Sequence, residues 1–171
     1  MLQLNTLEDI QHAMRLLEDK ESADRAQGSL LDYCQHLSPQ YMRPKHIKHL
    51  ASKLEAVERG EISRLAISMP PRHGKSELAS NFFPSWYIGR HPDKYVIFST
   101  YETSQSARRF GTSHRGSYFS VGAGGAITGR GAHLLIIDDI IKGREDADST
   151  AVRNNVIDWY KSTAYTRLMP K

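Results

Sequence analysis

The sequence predicts an α/β fold: a mostly parallel sheet flanked by helices and preceded by an α-helical segment. Three observations predict it. Apolar residues recur at helical spacing up to about Gly60, short strand-like runs then alternate with helical stretches, and Leu134-Leu135-Ile136-Ile137 is uninterruptedly apolar, as strands covered on both faces are. These patterns divide the chain into a helical N-terminal preface, residues 1–60, and an α/β core, residues 61–171.

Leu7, Ile10, Met14 and Leu17 lie at helical spacing, with Thr6 as N-cap and Asp9 placed to complete a capping box. Residues 20–29 are polar and small and read as a loop or weak helix. Leu30, Leu31, Cys34 and Leu37 predict a helical segment ending before Pro39. Pro44 opens a third helix, whose inward face is Ile47, Leu50, Leu54 and Val57 and which ends near Gly60. Arg64-Leu65-Ala66-Ile67-Ser68 then reads as a short buried strand and Glu77-Leu78-Ala79 as the start of a helix, in which Pro84 should give a kink or an early end.

Tyr95-Val96-Ile97-Phe98-Ser99 reads as a second strand, Ser104 to Phe110 as a helix and Tyr118-Phe119-Ser120-Val121 as a further strand. The glycine-rich stretch from Gly122 to Gly131 leads into the acidic strand at 134–138. Ser149 caps a last helix with Val152, Val156, Trp159 and Thr163 on one face.

Met69-Pro70-Pro71-Arg72-His73-Gly74-Lys75-Ser76 carries the chemistry. It sits between the expected strand and helix and ends in Gly-Lys-Ser, the arrangement in which backbone N–H groups and a helix N-terminus cradle a nucleoside triphosphate. Pro71, Arg72, His73, Gly74, Lys75, Ser76 and Glu77 form the expected nucleotide-binding set, with Lys75 on the outer phosphates and the Ser76 hydroxyl on Mg²⁺. A glycine five residues before Gly74 would complete the usual spacing, and Met69 stands there instead. A surface turn that contains Gly-Lys-Ser is the competing reading of the loop.

Asp138 and Asp139 close the apolar run at 134–137. In a phosphate-loop NTPase an acid at that position holds Mg²⁺ and a neighbouring acid polarises the attacking water, so Asp138 is assigned to the metal and Asp139 to the water. An acidic turn capping a core strand is the alternative for this segment taken by itself. The specific expectation is therefore a P-loop NTPase fold with ATP and Mg²⁺ as ligands.

With 171 residues the chain suits one domain. A formal charge of +4 permits contact with nucleic acid without establishing it. Cys34 is the only cysteine, which excludes an internal disulfide and a cysteine cluster for zinc. Its expected state is a buried apolar thiol. No apolar run approaches the ~20 residues that span a bilayer, and the N-terminus has no signal-peptide core, so no membrane partner and a cytoplasmic location are expected.

From about His46 onward the chain resembles the large terminase subunits of tailed bacteriophages, the ATP-driven motors that package double-stranded DNA. Pro70 to Ser76 is similar to that family's loop, which often lacks the first glycine and carries an arginine where Arg72 stands. Gly124-Gly125-Ala126-Ile127-Thr128-Gly129-Arg130-Gly131 through Asp138-Asp139, then Arg144 to Ser149 and Asp158-Trp159-Tyr160, are similar to the stretch around its acidic strand.

The resemblance implies an ATPase that moves double-stranded phage DNA in the host cytoplasm, with a small terminase subunit and a portal protein as partners and a homo-oligomeric ring as the active state. Lys75, Arg72, Asp139 and Arg130 are the catalytic candidates, Arg130 as a finger toward a γ-phosphate in its own or a neighbouring subunit. His46, with Gln40 and Tyr41, stands where the family has residues near the adenine.

Two departures qualify the resemblance. Between Ser113 and His114 the family has a longer insertion, so the sheet is expected to be incomplete. Up to Lys171 the sequence includes neither the family's coupling motif nor its nuclease domain, so DNA cutting is not expected of this chain. A different P-loop NTPase, or a nucleotide-binding remnant without turnover, are the alternative readings.

Overall fold

A computed structural model of the chain describes residues 7–101, 109–122, 124–125, 127 and 131–169. The chain divides into two compact units, Met1–Trp86 and Tyr87–Lys171.

The first unit is helical. Helix α1 spans Leu7–Gly28, α2 Leu30–Leu37 and α3 Lys45–Glu58. The break between α1 and α2 is set at Ser29, whose Oγ accepts from the Asp32 N–H at 3.3 Å, while Glu55 of α3 reaches across to accept from the Leu30 N–H at 2.9 Å. Two of the orphan donors at the start of α2 are thereby satisfied. Arg43 then ties the following turn to α2, donating to the Leu31 carbonyl and to Asp32 Oδ1, both at 2.8 Å. Leu30, Cys34, Ile47, Leu50, Ala51 and Leu54 are buried, each large aliphatic side chain among them contributing about 1.5–3 kcal/mol relative to exposure.

After α3, residues 61–70 form neither helix nor strand, and the strand expected at 64–68 is not there. Half-buried Leu65 and Ile67 alternate with exposed Arg64, Ala66 and Ser68, as in a strand, but no described strand pairs with them. Without a ladder partner the pattern alone does not make a strand. Helical structure resumes at Lys75, continues as a π-helical segment, Glu77–Phe82, and returns to α-helix in α4, Phe83–Arg90. Pro84 lies inside this continuous helical stretch, beside the change from π to α hydrogen bonding, and the early end expected there does not occur, since the helix runs on to Arg90.

One reading of the preface is resolved and one needs correction. Of the two alternatives for residues 20–29, the helix holds as far as Gly28: α1 continues to that point, with Ala26 buried and Trp86 Nε1 donating to the Ala26 carbonyl at 3.0 Å. Ala, Glu, Lys, Arg and Gln in this stretch favour helix. Conversely Ile10, Met14 and Leu17, the expected inward face of the first helix, are exposed at 43%, 55% and 60%, since no described residue covers them. Thr6, its expected cap, lies outside the described residues.

The second unit contains the sheet. Strands β1 (Tyr95–Thr100), β2 (Arg109–Gly111), β3 (Ser117–Gly122) and β4 (Leu134–Ile137) are ordered β2-β3-β1-β4. β1 runs parallel to both β3 and β4, and β2 is antiparallel to β3. The result is the expected mixed α/β class, with a mostly parallel sheet. One face carries Ile97, Phe119, Val121 and Leu135, which pack with Ile127, Ala132, Trp159 and Ala164. On the other, the Tyr118 ring stacks on Phe110 at 5.2 Å and on Phe98 at 6.4 Å.

Helices α5 (Arg144–Asp148) and α6 (Thr150–Trp159) follow β4, and a π-helical segment, Tyr160–Ala164, and a 3₁₀ turn, Tyr165–Arg167, complete the described chain. Ser149 caps α6 as expected, accepting from the Val152 N–H at 3.4 Å.

The helix expected from Ser104 to Phe110 is corrected at its end: Arg109 and Phe110 lie in β2, held by pairing with β3, and residues 104–108 are outside the described set. The apolar run at 134–137 suggests a central strand, yet among the described strands β4 pairs with β1 alone. Only an isolated parallel bridge from Ala132 to Leu168 lies on its outer side among the described residues. Such an edge position fits a sheet short of strands.

Candidate functional site

The loop at 69–76 belongs to the first unit. Arg72 (φ 61) and Gly74 (φ 79) take left-handed backbone while their immediate neighbours do not. Nests, the backbone concavities that bind anions, are built on such alternation of hand. His73 Nδ1 lies 2.8 Å from the Pro71 carbonyl, and the His46 and His73 rings are 5.6 Å apart.

The helix begins at Lys75, and the Leu78 N–H closes on the Gly74 carbonyl at 3.0 Å. The N–H groups of Lys75, Ser76 and Glu77 therefore precede the first helical hydrogen bond, at the end where the helix dipole favours negative charge. Pro71, Arg72, His73 and Glu77 are exposed, and Gly74, Lys75 and Ser76 are half-buried.

Beneath the loop helix the unit is apolar. Cys34 is fully buried, and burial, with the nearby negative charge of Glu77, pushes its thiol up to about 12 despite the opposing charge of Arg43. Tyr41 is likewise raised to about 12, by burial first and then by Cys34 and Glu77. Its ring packs edge-on to Phe82 at 5.3 Å.

Asp138 and Asp139 belong to the second unit and stand at the C-terminal edge of the sheet. The Asp138 N–H donates to the Ser99 carbonyl at 2.9 Å, and the Asp139 carbonyl accepts from the Tyr101 N–H at 3.1 Å, so both residues are pinned to the end of β1. Asp138 is half-buried; Asp139 is exposed and left-handed, with φ 43. Lys142 Nζ lies over the Tyr101 ring at 5.5 Å from its centroid, bringing a cation to the same edge. Arg130 lies outside the described residues.

The fold thus groups the expected loop residues in one unit and the two acids in the other. Sequence reasoning did not anticipate the π-helical segment that follows the loop, a rare geometry that recurs at functional sites. Nor did it single out Ser99, which is fully buried beside Asp138 and whose Oγ has no hydrogen-bond partner among the described residues. A serine within an apolar strand was the available signal.

No family model, curated protein or solved structure matches the chain. No described helix is long and apolar enough to cross a membrane.

Proposed function

We propose that the chain binds Mg²⁺-ATP at the loop of residues 71–77 and hydrolyses it, as the ATPase part of a motor that moves double-stranded DNA. The observation that carries this reading is the alternation of hand at Arg72 and Gly74 immediately before a helix that starts at Lys75. Backbone of alternating hand, on which anion nests are built, and a helix N-terminus coincide there with the sequence Gly-Lys-Ser.

In this reading Lys75 and Arg72 contact the outer phosphates. The Ser76 hydroxyl would hold Mg²⁺, a hard cation that takes one or two protein oxygens together with phosphate oxygens, and Asp138 is assigned to the metal on the resemblance alone. When bound, the metal neutralises charge on the phosphates. Asp139 orients and deprotonates the attacking water, and Arg130 stabilises charge developing on the γ-phosphate. The motor role, phage DNA as substrate, and the small terminase subunit and portal as partners rest on the resemblance of residues 46–171 to terminase large subunits.

ATP binding measured separately from phosphate release, with and without double-stranded DNA, tests the proposal. Binding with DNA-stimulated release is the expected result. Binding without release at any DNA concentration would identify a nucleotide-binding remnant, the reading favoured by the edge position of β4.

A further inference from the structure

We propose that the second unit holds a separate binding site for a small organic phosphate, in the cavity at the N-terminal edge of the sheet. This cavity measures about 480 Å³, within the ~300–1,000 Å³ of small-molecule pockets. Its lining follows from strand register. Ile97, Phe119 and Arg109 are paired in one row across β1, β3 and β2, so they stand on the same face, and Ser117 lies one step outward on β3. Half-buried Phe119 gives an apolar floor, with fully buried Ile97 behind it. Arg109, Ser117, Thr112 and Arg115 supply polar groups around it.

Two features point to an anion. Among the described residues no carboxylate lines the cavity, and neither Arg109 nor Arg115 makes an ion pair. Moreover Arg115 has φ 70, a left-handed backbone that side-chain-bearing residues other than Asn, Asp and His seldom adopt. Strain of this kind persists where the surroundings over-determine it, and it recurs at ligand clamps.

The surroundings here are rigid. The Thr112 N–H donates to the Gly116 carbonyl and the Gly116 N–H to Thr112 Oγ1, both at 2.9 Å, and Thr112 Oγ1 in turn donates to the Pro92 carbonyl. The Gly116 N–H also faces the Pro92 carbonyl at 3.1 Å, and the Ser117 N–H donates to the Lys94 carbonyl at 3.0 Å. A Cβ on Gly116 would come within 2.3 Å of that Pro92 oxygen, so only glycine allows the turn to seat this closely. Thr112-Ser113-His114-Arg115-Gly116 is therefore a clamped turn that fixes the backbone of Arg115 at the cavity before any ligand arrives. Two guanidinium groups with the Ser117 hydroxyl nearby suit phosphate oxygens, and the apolar floor suits the ligand's body. The proposal is independent of the triphosphate loop.

The test titrates the intact chain carrying Lys75→Ala, so that the loop of the first unit contributes least, with inorganic phosphate and a nucleoside 5′-monophosphate. Amide shifts of Gly111 and Gly116 report on this cavity. Saturable shifts are expected, tighter for the monophosphate, and Arg115→Gly or Arg109→Ala should raise the Kd about tenfold. Because glycine relaxes the left-handed position, Arg115→Gly should leave Tm unchanged or higher while weakening binding, a combination that a folding defect does not give.

Absence of saturable binding, or equal affinity in both variants and parent, would overturn the site. Tighter binding of succinate than of phosphate would overturn the ligand class, and tighter binding of a 5′-phosphorylated oligonucleotide than of the monophosphate would overturn the small-molecule assignment.

Discussion

Ile47 Cδ1 of α3 stands 3.0 Å from where a Cβ on Gly74 would lie, and Gly74 has φ +79. The loop glycine is thus fitted both to its backbone twist and to the helix behind it. Gly74→Ala places an L side chain in left-handed backbone, at about 1–2 kcal/mol, and pushes Ile47 aside. The variant should unfold at lower temperature and bind ATP more weakly; a thermal melt and a nucleotide titration check both.

Trp86 anchors the end of α1 through its bond to the Ala26 carbonyl, which is buried. Trp86→Phe keeps a ring but leaves that carbonyl unpaired, for a loss of about 1–3 kcal/mol. A lower urea midpoint with an unchanged m-value is the expected outcome.

The Cys34 thiol sets the alkaline limit of the first unit. Its pKa is higher folded than unfolded, so the stability linked to it is present in full below 9.0 and is lost as pH rises from 9.0 toward about 12. Tyr41 and Tyr118, each raised from 10.0 to about 12, add to the loss only above 10.0. Urea midpoints should start to fall above pH 9.0 in the parent chain, and Cys34→Ala should delay that onset to about 10.0. The native thiol should also resist alkylation at neutral pH and react on unfolding.

Asp139 is assigned to the attacking water. Asp139→Asn should lower the rate of phosphate release about 10²–10⁴-fold while leaving ATP binding nearly unchanged. Single-turnover measurements separate the two quantities.

Much of the second unit was legible because its strands are short apolar or aromatic runs between punctuating glycines and polar turns: β1, β3 and β4 follow directly from residues 95–99, 118–121 and 134–137. The Ser149 cap and the inward face of α3 were legible for the same local reason. What the sequence hides depends on distant partners. Leu65 and Ile67 have the alternation of a strand but no ladder among the described residues, the Ala26 carbonyl finds its partner in Trp86, 60 residues on, and Arg109 and Phe110 take strand geometry from their pairing with β3. In the candidate site, the residue types of the loop were readable, whereas the left-handed backbone at Arg72, Arg115 and Asp139 was not, since none of these positions carries glycine.

Phosphate release by the parent chain and by Lys75→Ala, assayed side by side with saturating ATP, Mg²⁺ and double-stranded DNA, tests the central claim most directly. At least a 10²-fold slower rate in Lys75→Ala is the predicted result, the order of loss when a main charge-stabilising group is removed. Equal rates in the two proteins would contradict the assignment of this loop to catalysis.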